Sequence, residues 1–223
     1  MSGAGFPAFG RIFNSRARAP EGGVWEARAR ACRILAAKVP AGASVLDIGC
    51  GDGSIAKLVT KFNPSVTVHG IEFAPRGTCL IECKAFDGSR IPYAAGSFDV
   101  CMFVDVLHHV KDSRGIEKLL SEACRVSRRH VLIKDHLSEN RFDFLTLQFM
   151  DWVGNRPHGV VLPYNYQSRG EWEKHFLATG LKLKEWDTNI PLYPFPFSVL
   201  FGRQLHYIGL LSKDSDMGNP VAQ

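Results

Sequence analysis

VLDIGCGDG, the stretch from Val45 to Gly53, decides the fold, because an acidic residue closes a short β-branched run and three glycines follow it. Glycine lets the backbone approach a ligand closely. Apolar residues at helical spacing then continue over residues 54–62. This order of strand, glycine-rich turn and helix is typical of the first unit of a ligand-binding α/β fold.

The spacing of the glycines argues against two common phosphate sites. A dinucleotide site needs its third glycine at position 54, where this chain has Ser54. A P-loop ends in Gly-Lys-Ser/Thr, a run that the sequence lacks. A nucleoside ligand without phosphates remains. Asp47 favours it, since a carboxylate repels a pyrophosphate and attracts an ammonium group.

Strands and helices alternate along the rest of the chain. The pattern predicts further strands at 66–71, 98–104, 130–134, 181–186 and 204–211, and further helices at 24–39, 113–126, 141–152 and 168–179. Such alternation predicts an α/β fold with a doubly wound, mostly parallel Rossmann-like sheet and helices on both faces. Ligands of such sheets bind beyond the carboxyl ends of the strands.

Composition favours one soluble domain. The chain has 223 residues, of which 45% are hydrophobic and 22% charged, enough to bury a core. Its apolar runs fall short of the roughly 20 residues that cross a bilayer, so we expect no integral membrane association. The six cysteines lack the spacing of a disulfide framework, which favours a reducing compartment and a cytoplasmic location.

Charge suggests the domain boundaries. Residues 1–40 hold seven Lys/Arg and two Asp/Glu, so the net charge of +5 arises there and the remainder is balanced. We expect a flexible leader at 1–23, a single domain at 24–213 with an acceptor-side insertion at about 137–168, and a tail at 214–223. The balanced charge of the domain argues against a nucleic-acid partner, because nucleic-acid grooves carry a basic surplus.

Five motifs occur in order between residues 45 and 134. They are the Asp-x-Gly-x-Gly-x-Gly turn, Glu72 at the end of the second strand, Asp87 at the end of a third, IPYAAGSFDV at 91–100 and DVLHHV at 105–110. Together they resemble the class I S-adenosylmethionine-dependent methyltransferases, most closely the small-molecule type that includes the quinone-biosynthesis methyltransferases. The resemblance implies S-adenosyl-L-methionine as cofactor.

The resemblance also implies the residues that bind this cofactor. Its methionine end would face the turn residues Asp47, Gly49, Cys50 and Gly51. Glu72 would accept hydrogen bonds from both ribose hydroxyls, a task suited to a carboxylate. The adenine would meet Asp87, the amide of Gly88, and either Phe73 or Phe86. Asp105, at the end of the fourth strand, completes the predicted cofactor-binding set.

One segment departs from the family. Glu72 and Asp87 are 15 residues apart, whereas the family places a full helix between the corresponding acids. The intervening segment contains Pro75 and Gly77, which break helices, and it is predicted to form an extended arm. The fold should therefore be shortened between the second and third strands.

Transfer of a sulfonium methyl group depends mainly on alignment, and a general base helps when the acceptor must lose a proton. The predicted catalytic residues are His136 and His108, and His109 and Asp135 lie beside them at the strand ends. A structural role for each histidine stays open at this stage.

The segment after the fifth strand should select the acceptor. An apolar stripe at helical spacing, typical either of core packing or of a pocket wall, consists of Phe142, Leu145, Phe149 and Trp152. The predicted substrate-binding residues are Trp152, Tyr164, Asn165 and Tyr166. A small lipophilic or aromatic acceptor is expected. The proline- and aromatic-rich segment 190–201 is expected to line the acceptor pocket or to cover a homodimer face.

Two alternatives stay open. The first is a protein that binds S-adenosylmethionine without turnover and acts as a partner or regulator. The second is a metal-dependent O-methyltransferase, because Asp105, Asp135 and His136 offer ligands that suit Mg²⁺. That class uses an Asp-Asn pair where this chain has Asp-His, so no metal is predicted. No zinc site is predicted at Cys79 and Cys83 either, since no second pair completes it.

Overall fold

The computed structural model describes residues 24–73, 75, 77–155, 163–192, 198, 201–202 and 204–213. The leader predicted at 1–23 and the tail predicted at 214–223 lie outside the described residues. So does much of the proline- and aromatic-rich segment at 190–201.

Strands and helices alternate over the described residues as predicted. The strands are β1 (Ser44–Ile48), β2 (Thr67–Glu72), β3 (Cys83–Ala85), β4 (Phe98–Val104), β5 (Ser127–His136), β6 (Leu181–Asp187) and β7 (His206–Lys213). The helices are α1 (Val24–Lys38), α2 (Ser54–Phe62), α3 (Ser113–Val126), α4 (Arg141–Asn155) and α5 (Arg169–Ala178). A short 3₁₀ helix, Leu107–His109, follows β4.

All seven of these strands form one sheet in the order β3-β2-β1-β4-β5-β7-β6. Neighbouring strands from β1 to β5 are parallel, and β7 runs antiparallel to both β5 and β6. The chain winds outward from β1 to β3 on one side and from β4 on the other. The switch point between β1 and β4 is where such a sheet binds its ligand.

Helices cover both faces of the sheet because side chains alternate along the buried strands. On β1, Leu46 and Ile48 face a core that contains residues of α3 and α5, including Trp172 of α5. Val45 faces the opposite side and packs with residues of α1 and α2, including Leu35 of α1. The predicted doubly wound, mostly parallel fold is confirmed.

The structure extends two predictions and confirms the shortening. β5 runs through to His136, two residues beyond the predicted end, and α4 extends to Asn155. Residues 73, 75 and 77–82, which the structure describes between β2 and β3, contain no helix. None of the helices described is long and apolar enough to span a bilayer.

Candidate active site

The glycine-rich turn after β1 uses left-handed backbone that favours glycine. Gly49, Gly51 and Gly53 have φ angles of 78°, 58° and 76°. A Cβ on Gly49 would lie 2.7 Å from a methyl carbon of Val106, so this glycine lets the turn pack against the segment after β4. A Cβ on Gly51 would meet no atom within 4 Å. The turn is therefore open at Gly51, where a ligand could approach the backbone.

Glu72 closes the other side of the turn. Its carboxylate is buried at the end of β2. Oε2 accepts a hydrogen bond of 2.8 Å from the Gly51 amide, and Oε1 accepts one of 2.8 Å from the Phe73 amide. These two backbone donors fix the carboxylate beside the opening at Gly51.

The carboxylate of Asp47 is buried beside the glycine-rich turn. Its side chain is 2% exposed, and among the described residues Oδ2 has no hydrogen-bond partner. Burial, followed by the nearby charge of Glu72, raises the pKa of Asp47 to about 7. A buried carboxylate oxygen without a donor costs free energy, so a bound ammonium group would relieve it. The residues present therefore fit the amino-acid end of S-adenosylmethionine.

Asp87 lies beyond β3, two residues after the strand ends. The Phe86 amide donates to the Glu72 carbonyl at 3.0 Å, which aligns this segment with β2. The Asp87 carboxylate is exposed and accepts hydrogen bonds from the Ser89 amide and hydroxyl, and these bonds lower its pKa. Asp87 thus orders its own turn next to Gly88, and its contact with adenine stays a prediction.

Asp105 directly follows β4 and has a φ of 55°, an uncommon left-handed conformation for a residue other than glycine. Its amide donates to the Lys134 carbonyl at 2.8 Å, and its carboxylate accepts from Lys134 Nζ at 2.5 Å. This pairing balances a lysine charge that is almost fully buried on β5. Sequence reasoning did not single out Lys134.

Asp135 joins the ends of β4 and β5 through hydrogen bonds. It is fully buried near the end of β5 and accepts three hydrogen bonds: His108 Nδ1 at 2.6 Å, the Leu107 amide at 2.8 Å and the His136 amide at 2.7 Å. Burial alone would raise the pKa of Asp135, but His108 and His136 hold it well below its usual value. The carboxylate is therefore ionised and held by donors from two strand ends.

His108 presents its second ring nitrogen to the buried interior. Nε2 has no hydrogen-bond partner among the described residues and lies 4.0 Å from the Asp151 carboxylate. Burial lowers the pKa of His108, but the carboxylates of Asp135 and Asp151 outweigh burial and raise it above 6.5. Because Nδ1 is engaged with Asp135, neutral His108 keeps its lone pair on Nε2.

His136 adjoins this pair. Its Nδ1 lies 3.0 Å from His108 Nδ1, and its ring centroid lies 5.6 Å from that of Tyr166. The register of β5 against β7 sets His136 opposite His206, with ring centroids 4.8 Å apart. The Tyr166 hydroxyl donates to the Asp151 carboxylate on α4. One buried cluster therefore forms where β5, β7, α4 and the segment before α5 meet.

Comparison with known proteins identifies the family. Residues 24–185, well over half of the chain, match the sequence profile of a family described as a methyltransferase domain. The chain belongs to this family. The cofactor of this methyltransferase domain is S-adenosyl-L-methionine, which agrees with the fit of Asp47 and Glu72.

Curated relatives of the methyltransferase domain include quinone-biosynthesis enzymes. Demethylmenaquinone methyltransferase of Tropheryma whipplei (strain Twist) is 32% identical over 108 residues, which cover 44% of this chain and 42% of that protein. Ubiquinone biosynthesis O-methyltransferase of Xanthomonas axonopodis pv. citri (strain 306) is 32% identical over 89 residues, covering 34% and 36%. The chain thus spans less than half the length of the curated relatives it matches.

A solved structure shares the fold of the methyltransferase domain. The S-adenosylmethionine-dependent methyltransferase from Mesorhizobium loti superposes with a TM-score of 0.56 and 15% sequence identity. The superposition covers 84% of this chain and 98% of that one.

The methyltransferase domain brings some of the predicted substrate residues together and separates others. Tyr166 lies in the buried cluster, and the ring centroid of Tyr164 is 6.3 Å from it. Asn165 fixes the segment before α5 by hydrogen bonds, since its Nδ2 donates to the Val110 carbonyl at 2.9 Å and its Oδ1 accepts from Gln167. Trp152 instead lies on the outer face of α4, with 44% of its surface exposed.

The apolar stripe on α4 is not part of the core. Its four residues are between 44% and 56% exposed, so the core-packing alternative is wrong. The opposite face of α4 is buried and includes Asp143, Thr146, Leu147 and Asp151. Asp151 could have been identified as a candidate functional residue from this face of α4, which mixes acidic and apolar side chains. Buried acidic side chains are uncommon and often belong to a functional site.

Two overlapping groups of side chains in this buried cluster could hold a metal ion. One is Asp105, His136 and His206, and the other is His108, His136 and Asp151, with ligand atoms of each group within 4.8 Å of one another. The set that the metal-dependent alternative would use, Asp105, Asp135 and His136, is not among them. Asp135 instead accepts three hydrogen bonds. Sequence reasoning missed both His206 and Asp151.

Proposed function

We propose that the chain transfers the methyl group of S-adenosyl-L-methionine to a small lipophilic or aromatic acceptor, with His108 as general base and Asp135 as its partner. The observation that carries this proposal is the buried 2.6 Å hydrogen bond between them, which leaves His108 Nε2 without a hydrogen-bond partner among the residues that the structure describes. The pair lies at the carboxyl ends of β4 and β5, where ligands of such sheets bind.

The bound cofactor supplies a methyl group that its sulfonium already activates. His108 Nε2 accepts the proton that the acceptor hydroxyl or acidic carbon loses as it is methylated. Asp135 fixes the ring orientation and stabilises the imidazolium that forms. A positioned base of this kind contributes on the order of 10²- to 10⁴-fold in rate.

Three observations support a lipophilic or aromatic acceptor. The curated relatives carry names that refer to menaquinone and ubiquinone biosynthesis. Tyr164 and Tyr166 offer aromatic rings beside the buried cluster. The exposed stripe on α4, which includes Phe149 and Trp152, offers apolar surface on the same helix that contributes Asp151.

A second candidate is metal-assisted O-methyl transfer, favoured by the His108, His136 and Asp151 group with its buried ligand atoms. In that case the ion would take the place of the general base in lowering the pKa of the acceptor hydroxyl. Chelator treatment at saturating cofactor distinguishes the two. We expect turnover to survive, and loss of turnover that Mg²⁺ restores would favour the metal.

Location and partners are further parts of the proposal. Six free cysteines support a reducing compartment, and hence the cytoplasm. The balanced charge after residue 40 supports an acceptor other than nucleic acid. A homodimer stays a prediction, because the segment at 190–201 lies largely outside the described residues.

A transfer assay with methyl-labelled S-adenosylmethionine tests the proposal. The wild-type chain, His108→Gln and the matched control His130→Gln are each incubated with pools of quinones, phenols, lipids and RNA. We expect wild type and His130→Gln, which changes the distant end of β5, to label the quinone or phenol pool, and His108→Gln to be at least about 100-fold slower. Labelling of RNA alone, or cofactor binding without any transfer, would contradict the proposal.

A further inference from the structure

Three cysteine thiols meet beside the glycine-rich turn. Cys50 lies within the turn, Cys79 lies on the arm that replaces a helix between β2 and β3, and Cys83 is the first residue of β3. Cys50 Sγ is 3.4 Å from Cys83 Sγ, and all three sulfur atoms lie within 4.8 Å of one another. All three are free thiols. This group could not be predicted from the sequence, because Cys50 is 29 residues from Cys79.

Two glycines make room for these thiols. A Cβ on Gly70 of β2 would lie 2.5 Å from Cys50 Sγ, so the Cys50 thiol occupies the space that a side chain at position 70 would need. A Cβ on Gly53 would lie 3.2 Å from Cys79 Sγ. A side chain at Gly70 would require Cys50 Sγ to move, and one at Gly53 would crowd Cys79 Sγ. The convergence is therefore built into both the turn and the neighbouring strand.

The spacing of the sulfur atoms suits a bound ion. Thiolates bind Zn²⁺ at about 2.3 Å in tetrahedral geometry, which separates neighbouring sulfurs by about 3.8 Å. The distances here, from 3.4 Å to at most 4.8 Å, bracket that value. A disulfide would require about 2.05 Å. Three thiolates and an open fourth position also match the preference of soft ligands for zinc.

We propose that Cys50, Cys79 and Cys83 bind one Zn²⁺ ion, with water as its fourth ligand. Each thiol gives up its proton to solvent as the ion binds. The acidic side chains of Asp47 and Glu72 lie close enough to interact with these cysteines and favour a cation there. Cys79 and Cys83 are partly exposed, which gives an ion a route from solvent.

The ion would cross-link the arm to the cofactor turn. Backbone hydrogen bonds join the arm to this region: the Leu80 amide donates to the Asp52 carbonyl at 2.9 Å, and the Gly70 amide donates to the Glu82 carbonyl at 2.8 Å. Zinc would add a connection through Cys50, next to Gly51. Tighter cofactor binding in the zinc form would follow. This consequence rests on the proposed function, whereas zinc binding itself does not.

Cobalt titration of the full chain tests the site. The protein is reduced, freed of metal with a chelator and titrated with Co²⁺ under anaerobic conditions. We expect a sulfur-to-cobalt charge-transfer band that saturates at one ion per chain and disappears when Zn²⁺ is added. Cys79→Ser and Cys83→Ser should each weaken Co²⁺ binding at least about tenfold through loss of one thiolate. The half-buried Cys124→Ser is the matched control and should leave the band unchanged.

Three results would overturn the proposal. They are the absence of the band in the reduced wild-type chain, its persistence in the Cys79→Ser, Cys83→Ser double variant, and formation of a Cys50–Cys83 disulfide in preference to metal binding when Zn²⁺ is present. Titration of S-adenosylmethionine into the metal-free chain tests the proposed function independently of the zinc site. Cofactor binding there, with no cobalt band, would leave the proposed function intact and remove only the zinc site.

Discussion

Asp135 Oδ1 and His108 Nδ1 lie 2.6 Å apart, and in neutral His108 this hydrogen bond leaves the lone pair on Nε2. Two backbone amides also donate to the Asp135 carboxylate, so the aspartate has little freedom to turn away. The sequence favoured His136 as the general base, with His108 as the next candidate. The geometry favours His108 as the base, with His136 packed against the same pair.

The first prediction concerns the pH profile. Because carboxylates raise the pKa of His108 above 6.5, and a base must be neutral, kcat/KM should fall as pH drops through a value above 6.5. Asp135→Asn removes the nearest carboxylate, so burial should move this acid limb to lower pH and the plateau rate should fall. Profiles of wild type, Asp135→Asn and the control Asp187→Asn check this. If the acid limb of Asp135→Asn lies at the same pH as that of wild type, the limb reports a group other than His108.

The second prediction compares the two histidines. His108→Ala should lower kcat by roughly 10² to 10⁴, while cofactor affinity stays within about twofold. His136→Ala should cost less, because it leaves the hydrogen bond between His108 and Asp135 in place. Single-turnover rates and cofactor titration measure the two effects separately. A larger loss in His136→Ala than in His108→Ala would make His136 the base.

Local patterns account for what the sequence could predict. The glycine turn, the ends of β1 and β2 and the order of elements each depend on residues close together in the chain. Glu72 is predictable because it ends a buried strand, and the fold then sets it against Gly51. The missing helix between β2 and β3 follows from the short spacing and from Pro75 and Gly77.

Long-range juxtapositions account for what the sequence could not predict. Asp151 reaches His108 across 43 residues, and His206 meets His136 only through the antiparallel register of β7 on β5. The orientation of α4 also escaped prediction, because an apolar stripe normally packs inward. Here a mixed face with Leu147 is buried instead, since Asp151 has a polar cluster to join.

The third prediction is a change in stability at Asp47. Its pKa is raised from 3.8 to about 7 by burial and by Glu72, so the folded chain holds this proton more tightly than the unfolded chain. Asp47 therefore stabilises the fold below pH 3.8, and this contribution is lost as pH rises through about 7. The two pKa values correspond to roughly 4 kcal/mol at most.

Asp47→Asn should thus unfold at higher denaturant than wild type at about pH 8, and at nearly the same denaturant at about pH 4. Urea unfolding of the cofactor-free chain at both pH values makes the comparison. Equal stability of wild type and Asp47→Asn at the higher pH would mean that the ionised Asp47 carboxylate does not destabilise the fold. The same variant should bind the cofactor more weakly.

The fourth prediction concerns the exposed stripe of α4. Phe149→Ser and Trp152→Ser should raise KM for a lipophilic acceptor several-fold, because each removes apolar surface that such an acceptor would cover. Leu177→Ser on α5, which removes an even more exposed apolar side chain, is the control. Steady-state kinetics with a lipophilic acceptor and with a truncated, water-soluble analogue checks the effect. Equal KM changes for both acceptors would remove the stripe from acceptor binding.

The central claim is that Asp47, the glycine turn and Glu72 form a site for S-adenosylmethionine, and isothermal titration calorimetry tests it most directly. We predict one micromolar site per chain for S-adenosylmethionine and for its demethylated product, and no heat with NAD. Glu72→Ala should weaken binding at least tenfold, since charged hydrogen bonds contribute about 1.5–3 kcal/mol each, whereas the control Glu173→Ala should bind normally. Tight NAD binding without an S-adenosylmethionine signal, or unchanged affinity in a folded Glu72→Ala, would contradict the account.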